Sequence, residues 1–130
     1  KLPMLDAYCN ARRAVADYYD AAFANHPNIQ IPFRAPYAHH VFHQYTIVLQ
    51  EVSRDAIKKS LEEKGIPSMI YYPIPAHKQE MFASFGIHAS ALSVTDDLCS
   101  KVLSLPIHTE MKQEHLEFIS TTLLELLNTN

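Results

Sequence analysis

The sequence predicts an α+β domain: a small, mostly antiparallel sheet of about three strands covered by helices. Three observations predict it. Long helical-period segments stand at both ends of the chain, and short β-branched, aromatic or alternating runs lie between them. Eight prolines against two glycines punctuate the chain. The 130 residues, 48% hydrophobic and 19% charged, have the length and apolar content of one domain with one core.

The first helix is predicted over Pro3 to Ala24, because Leu5, Tyr8, Cys9, Val15, Ala16, Tyr19, Ala22 and Phe23 fall on a helical period and Pro3 is tolerated in a first turn. Asn25-His26-Pro27-Asn28 ends it, and Pro32 and Pro36 keep the next stretch extended. The best strand is 41 to 49, with Val41, His43, Tyr45, Ile47 and Leu49 on one face. Ser53 caps a helix over 54 to 64 whose Ile57 and Leu61 share a face, and Gly65 supplies the left-handed residue after its last turn.

Ile66 to Tyr72 is expected to be a second strand stopped by Pro73 and Pro75, and Lys78 to Phe85, ahead of Gly86, a short helix. Ser93 with Asp96 resembles a capping box for a helix carrying Val94, Leu98 and Val102. Leu103-Ser104-Leu105 is the third strand, closed by Pro106. Thr109 is expected to cap a final helix through Leu127, on which Met111, His115, Phe118, Ile119, Thr122, Leu123 and Leu126 recur at three and four.

Composition excludes several functions. With 11 basic residues scattered among 14 acidic ones, and a formal charge of -3, no polyanion-binding surface is expected, hence no nucleic-acid partner. No apolar run approaches the about 20 residues of a membrane span, so no membrane association is expected either. Cys9 and Cys99 form no CxxC pair, and a reduced, cytoplasmic protein is the expectation. The scarcity of glycine argues against a phosphate-cradling loop on this chain. A start at Lys1 rather than Met fits a segment taken from within a longer protein.

His39-His40-x-x-His43, with His77 as a fourth member, is the tightest histidine cluster, but on a strand His40 points away from its neighbours and no thiolate or carboxylate completes a ligand set. No metal site is predicted. His26, His88, His108 and His115 are expected to be solvated surface residues. No serine or cysteine stands in an activation context for nucleophilic catalysis.

Tyr71-Tyr72-Pro73-Ile74-Pro75-Ala76-His77 gathers two phenols and an imidazole on a stiff extended segment, suited to holding a sugar or a nucleotide diphosphate by stacking and orienting hydrogen bonds. On composition alone, a tyrosine pair at a strand end is more often a half-buried packing feature with wet hydroxyls.

Taken in order, Lys1-Leu2-Pro3, Asn10-x-Arg12-Arg13, Tyr18-Tyr19, Phe42-His43-Gln44-Tyr45-Thr46-Ile47, Arg54-Asp55, Lys64-Gly65-Ile66-Pro67, Ile70 to His77 with Gln79, and Leu103-Ser104-Leu105-Pro106-Ile107-His108 resemble the C-terminal third of DegT-like nucleotide-sugar aminotransferases. The resemblance runs from Lys1 to about Leu126. It implies that residues 1 to 130 are the small C-terminal domain of a fold-type I pyridoxal-phosphate enzyme, with the large cofactor-binding domain outside this chain. The complete enzyme would take an amino group, from glutamate as donor, to a nucleotide-linked keto-sugar in polysaccharide or glycoside biosynthesis, and would act as a homodimer. No lysine here stands in the family's Schiff-base motif, so no catalytic or cofactor-binding residue is carried over, and the chain alone is expected to be inactive. What the resemblance places on this domain is part of the wall of the sugar-nucleotide site, at Tyr72, His77 and Tyr71. Many relatives have a histidine where Tyr71 stands. Tyr72 and His77 are expected to have their polar ends exposed. The alternative is a stand-alone α+β module that binds a ligand or regulates a partner without catalysis.

Overall fold

A computed structural model describes residues 2–85 and 92–129. After a short 3-10 turn, Leu2–Met4, come α1 (Leu5–Phe23), β1 (Ile29–Gln30), β2 (Tyr45–Leu49), α2 (Arg54–Glu63), α3 (Ser93–Lys101), β3 (Val102–Leu105) and α4 (Gln113–Asn128). The sheet is antiparallel throughout in the order β1-β2-β3. The predicted α+β class, with three strands and helical cover, is the observed one.

Register explains the layering. Tyr45 lies opposite Leu105, Ile47 opposite Leu103 and Leu49 opposite Ile29, so these six buried side chains share one face of the sheet. Against that face pack Val15, Ala16, Tyr19 and Phe23 of α1, Ile57 and Leu61 of α2, and Leu116, Ile119, Leu123 and Leu127 of α4, forming the core. Tyr19 is the hub. Its ring contacts those of Phe23 and Tyr45, and its hydroxyl donates to the Pro106 carbonyl at 2.9 Å, so one α1 residue fixes the exit of β3. On the opposite face Thr46 and Ser104 join by a 2.7 Å hydrogen bond between their hydroxyls.

Several boundaries differ from the sequence expectation. The strand begins at Tyr45 rather than residue 41, because Phe42 has φ +45° and turns its buried ring under the Arg34 guanidinium, 4.6 Å from the ring centroid. Val41 and His43 are consequently exposed, off the core face. The segment 66 to 72 is not a strand. Only Met69 pairs with the sheet, exchanging hydrogen bonds with Ser104 at 3.0 and 2.9 Å, since Pro67 and Pro73 remove the donors that a longer ladder needs. The third strand is instead Ile29–Gln30.

Ser53 caps α2 as predicted, accepting from the Ala56 amide at 3.3 Å. Gly65, with φ +77°, closes α2: its amide donates to Glu62 and that of Ile66 to Leu61, with the side chains of Ile66 and Leu61 both in the core. Ser93 is not a cap; it is already helical and Leu92 precedes it. Nor does Thr109 cap the last helix, which starts four residues later, where the Lys112 amide donates to His115 Nδ1 at 3.3 Å. The stretch 78 to 85 consists of 3-10 turns, Ala76–Lys78 and Glu80–Phe85, rather than one helix. Gly86 and His88 lie outside the described residues.

Candidate functional site

The segment between β3's outer edge and α3 carries the polar aromatic residues. Met69 anchors it to Ser104, and from there Tyr71, Tyr72 and Ile74 run across the surface, 51%, 74% and 53% exposed. Pro73 and Pro75 fix φ at alternate positions, so this exposed run is stiff without being paired. It ends in the turn Ala76–Lys78, where the Lys78 amide donates to Pro75 O at 2.9 Å.

That turn is clamped to α3 by one carboxylate. Asp96 Oδ1 is 3.1 Å from His77 Nε2, and its Oδ2 is 2.9 Å from Lys78 Nζ. The Lys78 ammonium is the main reason the Asp96 carboxyl titrates below the usual carboxylate range; burial opposes this, and His77 adds to the lowering. α3 is in turn fixed from below: Arg54, at the start of α2, donates from Nη1 to the Cys99 carbonyl at 2.5 Å.

Of the three predicted site residues, Tyr71 and Tyr72 have the exposure expected of a surface that meets a ligand. His77 does not. Its side chain is only 5% exposed, because the imidazole turns toward Asp96 and lines an apolar depression with Ala76, Phe82, Leu92 and Thr95. It is not a member of the core. Tyr71 also borders a cleft of about 290 Å³ together with His43, Ser68, Ser104 and His108. In that cleft Ser68 Oγ is buried without a hydrogen-bond partner among the described residues. Asp96, Lys78 and Ser68 were not identifiable from the sequence as members of this region. The one sequence signal was two acidic residues, Asp96 and Asp97, against the basic pair His77 and Lys78, and such pairs are common on surfaces.

Histidines 39, 40 and 43 form no ligand set: the His40 ring packs on Phe42 and its Nδ1 accepts from the Phe42 amide at 2.9 Å. Among the described residues no three His, Cys, Asp or Glu are placed to hold a metal ion. A pyridoxal phosphate site is equally unsupported by the residues present. Lys58, Lys59, Lys78, Lys101 and Lys112 are each ion-paired, and none of the described lysines is buried, as a Schiff-base lysine of lowered pKa requires. No described helix is long and apolar enough to cross a membrane.

The fold and this rim define a small α+β domain that displays a stiff polar-aromatic edge and, among its described residues, no cofactor cradle. The sequence profile of the DegT/DnrJ/EryC1/StrS aminotransferase family matches residues 1–124, and the chain belongs to that family. It is 40% identical over 128 residues, 98% of this chain and 33% of the relative, to the UDP-N-acetyl-3-dehydro-α-D-glucosamine 3-aminotransferase of Acidithiobacillus ferrooxidans. To the dTDP-3-amino-3,6-dideoxy-α-D-galactopyranose transaminase of Aneurinibacillus thermoaerophilus it is 33% identical over 117 residues, 90% of this chain and 31% of the relative. The crystal structure of a DegT DnrJ EryC1 StrS aminotransferase from Brucella abortus superposes with a TM-score of 0.86 at 28% identity, covering 96% of this chain and 32% of that one. The chain thus spans about a third of the length of the relatives it matches.

Proposed function

We propose that this chain is the C-terminal small domain of a pyridoxal-phosphate-dependent aminotransferase that moves an amino group, from glutamate, to a nucleotide-linked keto-sugar for polysaccharide or glycoside assembly. The observation that carries this reading is the similarity, across nearly the whole chain, to an aminotransferase named for a UDP-linked keto-sugar. The exposed Tyr71–Tyr72 edge supports it, because a ligand wall needs unpaired aromatic surface on a backbone that loses little entropy on binding.

The division of labour follows from the residues. The cofactor, held by the larger part of the enzyme, supplies the electron sink for the chemistry. This domain orients the substrate: Tyr72 offers a ring to stack on a sugar or base and a hydroxyl to bond it, Tyr71 does the same beside the cleft containing Ser68, and His77 supplies an imidazole at the far end of the stiff segment. The complete enzyme works as a cytoplasmic homodimer in this reading.

The test is expression of the whole reading frame beside the 130-residue chain. The whole protein is expected to show a borohydride-reducible cofactor absorbance band and glutamate-dependent amination of UDP-N-acetyl-3-dehydro-α-D-glucosamine or a dTDP-linked keto-sugar, and the isolated chain neither. A whole protein without that band, or amination by the 130 residues alone, overturns the proposal.

A further inference from the structure

His77 and Asp96 form the most constrained polar pair in the region. Nε2 and Oδ1 are 3.1 Å apart, the imidazole is 5% exposed, and neither atom makes a well-directed hydrogen bond, to the other or to any other group among the described residues. Two bare acceptors at that distance, both out of water, repel each other and are left unsatisfied. The arrangement is tolerable only with a proton on Nε2. Lys78, 2.9 Å from the second oxygen, keeps the carboxylate anionic and fixed on the other side. Asp96 is the charged group in contact with the ring, and Lys78 sits on its far oxygen. In a neutral imidazole with its proton on Nε2, Nδ1 is the acceptor.

We propose that Asp96 is a positioning residue for His77: its carboxylate, tethered by Lys78, holds the imidazole proton on Nε2 and so makes Nδ1 the nitrogen that accepts a hydrogen bond from a hydroxyl of the nucleotide-linked sugar. This rests on the reading above that His77 belongs to the substrate wall, and it sharpens that reading. A ring in this tautomer selects a donor on the ligand, a sugar hydroxyl, and does not serve as a donor to phosphate oxygen. Asp96 lies nineteen positions further along the chain, on a different element, so the pairing is a property of the fold. Arg54 fixes the far end of the same helix through Cys99 O, which keeps the carboxylate in register with the turn.

Replacing Asp96 by Asn keeps shape and removes charge. Its amide can then donate to Nε2 and drive the ring proton to Nδ1, abolishing the acceptor offered to the sugar. The experiment uses the complete holoenzyme, with UDP-N-acetyl-3-dehydro-α-D-glucosamine as the probe, and the variants D96N, H77A and D96N/H77A. An unchanged cofactor absorbance band in each serves as the check on folding. Two readouts are taken: KM and kcat, and the tautomer of His77 from nitrogen-15 spectra of histidine-labelled protein without substrate at about pH 8, above the ordinary imidazole range.

The expected result is an Nε2–H ring in the wild type, an Nδ1–H ring in D96N, and a KM raised roughly tenfold in both single variants, the loss of one ligand hydrogen bond. The double variant is expected to be no worse than H77A, because Asp96 acts through the ring. An Nδ1–H ring in the wild type, an unchanged tautomer in D96N, or additive effects in the double variant overturns the assignment of Asp96 while leaving His77 in the substrate wall. An H77A enzyme with wild-type KM and kcat overturns the reading of His77 itself, and this inference with it.

Discussion

Tyr45 in β2 donates its phenolic hydrogen to Asp20 Oδ1 in α1 at 2.7 Å, tying the central strand to the long first helix from inside the protein. Arg34 holds the other oxygen of the same carboxylate at 2.6 Å and Asp17 at 2.6 Å, so a loop residue, a helix and a strand converge on one anion. Burial first, then the Asp20 carboxylate, pushes the Tyr45 hydroxyl far above the usual phenol range, so it is a donor at neutral pH. Tyr45→Phe keeps the buried ring and removes the donor. The expected loss is about 1.5 kcal/mol, the lower end for a bond to a charged acceptor because Arg34 still serves Asp20. Urea unfolding measures it, and a midpoint equal to that of the wild type would show that the bond contributes nothing.

Gly65 isolates a backbone effect from a packing effect. A Cβ built there meets no atom within 4 Å, while φ is +77°. Gly65→Ala is therefore expected to cost about 1–2 kcal/mol from left-handed strain alone, with no rearrangement of neighbours. Gly65→Asn should recover part of the loss, since asparagine tolerates this region best among residues with a side chain. Equal destabilisation by the two substitutions in thermal melts would contradict that cause.

Where one periodicity sufficed, the sequence was readable. The faces of α1, α2 and α4, the alternation of Tyr45, Ile47 and Leu49, and the glycine after α2 all express a local rule that tertiary packing agrees with. What was not readable depended on distant partners. Two residues at 29 and 30 become a strand only because β2 offers an edge, and residues 66 to 72, with the better strand composition, cannot use β3's edge beyond Met69 for lack of donors. Phe42 was counted with a strand because its positive φ is set by the Arg34 and His40 contacts, which no local pattern encodes. In the candidate site Tyr71 and Tyr72 were legible as a motif. The Asp96 clamp on His77 was not, because it joins two elements that the chain separates.

The Asp96 clamp has a predictable response to acid. Its carboxyl is held low in the folded protein, chiefly by the Lys78 hydrogen bond, so the contribution is present above the unfolded carboxylate value and disappears as pH falls through the lower folded value. The contact between the 76–78 turn and α3 is thus expected to persist at about pH 4, where an ordinary aspartate is already half protonated. Carboxyl carbon-13 titration reads this directly. Lys78→Met should move the Asp96 midpoint upward toward the ordinary value, and a midpoint unmoved by that change would mean Lys78 is not the cause.

Tyr72 separates function from stability most cleanly. At 74% exposure its ring has little packing to lose, so Tyr72→Ala should change the stability of the domain by less than about 0.5 kcal/mol. Pro73 on one side and the Met69 anchor on the other hold the backbone regardless of the side chain, and the display of Tyr71 should survive the substitution. In the complete enzyme the same change removes a stacking surface and a hydroxyl from the proposed sugar-nucleotide wall. KM for the nucleotide sugar should then rise while the cofactor absorbance stays as it was. Tyr72→Phe divides the effect: if stacking dominates, Phe restores KM to near the wild-type value, and if the hydroxyl dominates, Phe behaves like Ala with a loss of about 0.5–1.5 kcal/mol of binding. A Tyr72→Ala enzyme that is less stable by 1 kcal/mol or more yet kinetically unchanged would assign this tyrosine to packing and remove it from the site.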